Sequence, residues 1–192
     1  DKKVDKRSGV SQRMPITVLE NLLSNAERRA LVAAEAIAVP RVLDIYAALP
    51  SITGKIELEY EGELRGGDSV ARELVRAAVG KVFSHYYEGV NLNAIVQFFD
   101  LGGHLRLDAS SSSEDMVQQL GLVQGLLEKT GALGLSSNEP DALRAAAGEF
   151  ILEGLYAQKR IGRSEEVGFT AETKKRDQPP PDEMSRKRRQ FN

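Results

Sequence analysis

The chain contains no cysteine, which excludes disulfides and thiolate metal sites; a reducing cytoplasm fits that composition. No apolar run approaches the roughly 20 residues that a membrane span needs, and no signal-peptide pattern opens the sequence. No GxxxxGK[ST] phosphate loop is present, so nucleotide binding by that mode is excluded for this chain acting alone. Only two histidines occur, His85 and His104, each isolated and neither in an HExxH-like setting. They read as ordinary side chains, and no metal site is expected. No nucleophile stands beside a base in the sequence, and no internal repeat is visible.

What is there suits a folded domain. The 192 residues are 41% hydrophobic and 28% charged, enough for one large domain or two small ones. The chain opens on Asp1 rather than Met, which reads as a fragment or processed piece, so part of its function is expected to lie elsewhere. The net charge of −2 is unevenly spread. From Lys174 onward seven basic and three acidic residues give +4, leaving −6 on the body. An acidic body does not suit a nucleic-acid binder. The terminal Ser185-Arg186-Lys187-Arg188-Arg189-Gln190 reads as a solubilising tail or as a patch for nucleic acid or an acidic partner. Nucleic-acid binding through it would fall steeply with salt and vanish on deleting 174–192.

Periodicity predicts a mainly helical fold with one short extended element. The first helix is expected over 14–39, with Ile16, Leu19, Leu23, Ala26, Ala30 and Ala34 on one face. Ser11 is its expected N-cap, Pro15 sits in the first turn and Pro40 ends it. A shorter helix follows over 40–49, broken by Pro50-Ser51-Ile52-Thr53-Gly54. Strict alternation over 55–61 predicts a half-buried strand or an ordered extended arm, with Ile56, Leu58 and Tyr60 on one face and Glu57, Glu59 and Glu61 on a solvated face or a face for a cation or basic partner. Gly66-Gly67 and Gly102-Gly103 read as turns.

Asp68 is the expected N-cap of a helix through Tyr87, with Val70, Leu74, Ala77, Ala78, Val79 and Val82 inward. A short apolar piece follows over 94–101. Ser112 or Ser113, followed by Glu114 and Asp115, starts a helix expected to reach about Thr130 and to be stopped by Gly131 and Gly134. The last strong helix is expected over 141–159, and beyond Arg163 the pattern fades into a Pro179-Pro180-Pro181 tail. The expected organisation is 1–54, 55–163 and a disordered basic tail over 164–192.

Arg13 is the residue that composition leaves unexplained. A guanidinium in the first turn lies beside the partial positive charge of a helix N-terminus, an unfavourable place unless an anion comes near. Free N–H groups and a guanidinium together make an anion receptor. An ordinary surface arginine is the alternative.

Gly9-Val10-Ser11-Gln12-Arg13, followed by an alanine- and leucine-rich helix carrying Arg28 and Arg29, resembles the sensor-2 motif of AAA+ ATPases of the MoxR and magnesium-chelatase I-subunit group. The stretch 48–62, ALPSITGKIELEYEG, looks like the same group. The resemblance implies a helical lid-type bundle with a helical extension, the C-terminal region of a cytoplasmic oligomeric ATPase. It implies that Arg13 senses the γ-phosphate of ATP and that Ser11 shapes the turn presenting it. It places ATP and Mg2+ mainly on a core domain outside this chain. It also implies contacts with that core, with neighbouring subunits and with a von Willebrand-type partner. Lacking a phosphate loop, the chain alone is expected to be inactive. The rival reading is a non-enzymatic helical interaction module with an apolar groove.

Overall fold

The computed structural model describes residues 2–5, 10–164 and 166–172. Gly9 of the G-x-S-x-R segment and the basic tail over 174–192 lie outside them. The described chain is mainly helical: α1 (Met14–Val32), α2 (Val42–Ala47), α3 (Leu49–Thr53), α4 (Tyr60–Arg65), α5 (Gly67–Tyr87), α6 (Asn93–Asp100), α7 (Ser113–Gly121), a 3-10 helix (Leu127–Leu133) and α8 (Asp141–Ala157). Two short antiparallel strands follow, β1 (Gly162–Ser164) and β2 (Gly168–Thr170).

Two apolar clusters share α5. Its first half supplies Val70, Ala71, Val75 and Val79 to a cluster with Val4, Val42, Leu49, Ile52 and Ile56. Its second half supplies Phe83 and Tyr87 to a larger cluster with α6, α7, α8 and the hairpin. The α5–α8 seam is close: a Cβ on Gly154 would lie 2.1 Å from the Phe83 ring. Only a residue without a side chain fits there, because Phe83 is itself buried and has nowhere to go.

The first helix is shorter than expected. It ends at Val32, not at Pro40, because Ala34 takes a left-handed conformation at φ 54. The Ala34 N–H donates to Leu31 O and the Glu35 N–H donates to Ala30 O, the bond pattern of a glycine-type helix stop built here on alanine. Lys159 does the same at φ 58 after α8. Ser11 is not the N-cap of α1; that position belongs to Arg13, which makes no side-chain capping bond. The inward face is also rotated. Ala26, Arg29 and Ala30 are buried and Met14 and Val18 pack on the first cluster, whereas Ile16, Leu19 and Leu23 are exposed.

Other expectations are corrected in the same way. The helix before Pro50 does end, at Ala47, but 50–54 is not a loop: Pro50 sits in the first turn of α3, where its missing N–H is harmless. The extended segment pairs with the N-terminal residues, through Val4 with Leu58 and Val10 with Ile56, then turns helical at Tyr60, which is exposed. The cap of α5 is Gly66 at φ 84, and Asp68 lies in the first turn near Arg72. Ala77, Ala78 and Val82 face outward. Ser112 does cap α7, accepting from the Asp115 N–H at 3.1 Å. That helix stops at Gly121, however, and Gly125 at φ 77 turns the chain into the 3-10 segment. Order also extends past Arg163: β2 pairs with β1, and Phe169 bridges Leu105. Gly168 is required there, since its φ is 79 and a Cβ would meet Leu105 O at 2.4 Å.

Candidate functional site

Two places on the chain collect unspent chemistry. The first is the start of α1. Val10 bridges Ile56, and the Ser11 N–H donates to Lys55 O at 3.0 Å, which pins the entering strand. Ser11 O then accepts from the Met14 N–H at 2.9 Å, and Ser11 Oγ accepts from the Arg13 N–H at 3.3 Å. Ser11 thus closes the turn on which Arg13 stands. The Arg13 side chain is exposed and makes no ion pair among the described residues. One turn further on, Ile16, Leu19 and Leu23 are 60%, 55% and 44% exposed, at helical spacing on one face. An arginine and an uncovered apolar stripe therefore share the same end of α1.

Behind that surface lies a buried ionic spine that the sequence pattern did not reveal. Arg29 donates to Asp44 Oδ2 at 2.9 Å and to Val39 O at 2.9 Å. Asp44 also accepts from Asn25 and from the Arg41 N–H. Arg41 Nε donates to Glu149 Oε2 at 2.5 Å, and Glu149 Oε1 accepts from the Leu43 N–H at 3.0 Å. These bonds tie α1 and α2 to α8. Charges so deeply placed persist only when paired.

The spine ends at the second place, a cavity of about 570 Å³ between α2, α5, α8, the loop after α6 and the hairpin. Five arginines line it: Arg41, Arg72, Arg76, Arg106 and Arg163. Arg163 pairs with Glu153, and Arg76 lies 3.9 Å above the Tyr156 ring while donating to Tyr156 O at 2.7 Å. Burial pushes the Glu153 carboxyl up to about 7; the neighbouring Glu149 charge adds to this and Arg163 opposes it. Burial, with Glu153 beside it, also pushes the Tyr46 hydroxyl up to about 12. Glu73 is held below the usual carboxylate range, first by its hydrogen bond from Lys3 and then by Arg65.

The remaining sequence candidates are not brought together. His85 and His104 are both exposed, and among the described residues no group of three or more His, Asp or Glu is placed to hold a metal. Glu57, Glu59 and Glu61 are exposed, and Glu61 has left the extended segment for α4. No described helix is long and apolar enough to cross a membrane. Glu149 and Glu153 have no signal in sequence except their position on an otherwise apolar helical face, and Arg41, the residue before α2, has none. Comparison with protein-family models, with curated proteins and with solved structures finds no match.

Proposed function

We propose that this chain is the lid-containing region of an AAA+ ATPase of the MoxR and magnesium-chelatase-like group, with Arg13 as the sensor of the ATP γ-phosphate. The observation that carries the reading is the exposed Arg13, without an ion pair among the described residues, beside the exposed stripe of Ile16, Leu19 and Leu23. A guanidinium at a helix start is a receptor for a phosphate, and an apolar stripe next to it is a docking face for the domain that brings the phosphate. Ser11 fixes the turn, and the Schellman-type stop at Ala34 limits α1 to the residues that flank such a dock. Adenine, the β- and γ-phosphates and Mg2+ belong to the core; this chain supplies the guanidinium and the apolar face. When bound, ATP offers a γ-phosphate charge that ADP lacks, so hydrolysis releases the Arg13 contact and frees the lid to rotate.

The test is ATP hydrolysis by the full-length parent protein, wild type against Arg13→Ala, with nucleotide binding measured alongside. Losing a charge-assisted phosphate contact is expected to slow hydrolysis at least about tenfold while nucleotide still binds. Matching rates would make Arg13 a surface charge. The interaction-module reading would then stand on Leu31 and Val32, which are 81% and 74% exposed at the opposite end of α1. Serine at both positions is expected to abolish partner capture under that reading and to leave hydrolysis unchanged under the first.

A further inference from the structure

The cavity behind α2 holds more cationic donors than its carboxylates use. Glu149 is spent on Arg41 Nε and the Leu43 N–H, and Glu153 on Arg163. Glu73 is engaged by Lys3 and Arg65, and Asp108 accepts from the Ser110 N–H and hydroxyl. Among the described residues three guanidiniums keep donors that no carboxylate accepts. Arg41 is 4% exposed, yet its Nη1 is buried with no hydrogen-bond partner among the described residues. Among the described residues Arg76 contacts the ring and hydrogen-bonds the carbonyl of Tyr156, and its charge acts on Glu153 without a hydrogen bond to it. Among the described residues Arg106 hydrogen-bonds only to the carbonyl oxygen of Glu166, at 3.4 Å, and its charge also acts on Asp108. A buried donor left unsatisfied is costly, so a fold that retains one beside a cavity has a place for an acceptor.

We propose that this cavity binds a small phosphomonoester with an apolar or aromatic body. The three guanidiniums come from three different elements, the start of α2, the middle of α5 and the loop after α6, and face one shared space. A carboxylate can satisfy one such fork. A phosphate carries two charges and three terminal oxygens and serves several at once. The other walls suit the rest of the molecule: Tyr46, Tyr156, Leu43 and Leu107 are apolar or aromatic surface. A volume of about 570 Å³ fits a ligand of mononucleotide size or smaller. The cavity opens to solvent past Arg72 and Arg106, both exposed, so a ligand can enter without unfolding the core. This site is separate from the Arg13 surface and does not rest on the ATPase reading.

The experiment is calorimetric titration of the whole chain with phenyl phosphate and, separately, with inorganic phosphate at low chloride. Phenyl phosphate is expected to bind saturably at one site and more tightly than inorganic phosphate, because only it uses the aromatic wall. Arg106→Gln is expected to weaken phenyl phosphate about tenfold, the loss of one charged hydrogen-bond donor. Arg106 is exposed, so an unchanged thermal melt will show that the variant folds. Arg28→Gln, on α1 and outside the cavity, is expected to bind as the wild type does. No saturable binding, equal affinity for the two probes, an unaffected Arg106→Gln, or equal losses in both variants would each overturn the proposal.

Discussion

Replacing Glu149 with glutamine strikes the point where the ionic spine meets the cavity. The glutamine side chain keeps the shape of glutamate, and its carbonyl oxygen can still accept from the Leu43 N–H that Glu149 Oε1 now takes at 3.0 Å. What it removes is the counter-charge of Arg41, whose side chain is 2% exposed and pairs with Glu149 at 2.5 Å. An arginine cannot neutralise itself by losing its proton, so the cation stays buried and uncompensated. Breaking one side of such a pair costs about 3–5 kcal/mol. That is a large share of a typical domain stability of about 5–15 kcal/mol. For a chain of this size the melting point is expected to fall by about 6–20 °C. The assay is urea unfolding followed by far-ultraviolet circular dichroism, with the midpoint falling and the slope unchanged. The paired replacement Arg41→Met with Glu149→Leu is expected to recover most of the loss, since apolar groups of similar volume often replace a buried ion pair at little cost. A Glu149→Gln loss below about 1 kcal/mol would refute the reasoning, because it would mean that the pair is solvated and contributes like a surface bridge.

Three further outcomes follow from particular contacts. Glu153 titrates near 7 in the folded chain against an ordinary 4.5, so the folded state holds the extra proton between those values. Stability is therefore expected to fall as pH rises through that window, by up to about 3 kcal/mol, and Glu153→Gln should flatten the slope in denaturant titrations at pH 5 and pH 8. Gly154→Ala gains about 1 kcal/mol of helix propensity but drives a Cβ to within 2.1 Å of Phe83, so a net loss of about 1–3 kcal/mol is expected in thermal unfolding. Ser112→Ala removes the cap of α7, and a loss of about 1 kcal/mol is expected; an unchanged melt would mean that Glu35, which accepts from the Ser113 N–H at 2.6 Å, carries that terminus.

Much of the helical order was legible because apolar spacing and capping residues act locally. The Ser112 cap and the course of α8 are legible from neighbouring residues alone, whereas 94–101 reads only as an apolar piece and its helix does not. The errors have physical causes. Sequence points to Pro40 as the end of α1 because the residue that stops the helix is Ala34, not the glycine such a stop usually carries. Ile16, Leu19 and Leu23 have the spacing of a core stripe, yet they face outward, because spacing does not say whether a stripe is covered. The hairpin was missed because strands of three residues carry no alternation to read. Arg13 and Ser11 could be singled out in sequence because a turn and a helix start are local features.

The sequence by itself determined the helical class, the absence of thiol chemistry, the uneven charge and the turn at Ser11–Arg13. The tertiary structure decided which apolar face is covered, and that Arg41 and Glu149, 108 residues apart, neutralise one another in the interior. It also decided that five arginines, two of them on α5 and the others from three further places in the fold, surround one cavity. Local propensity acts over a few residues along the chain, whereas burial and charge pairing depend on distances in space that only the packing of α5 against α8 sets.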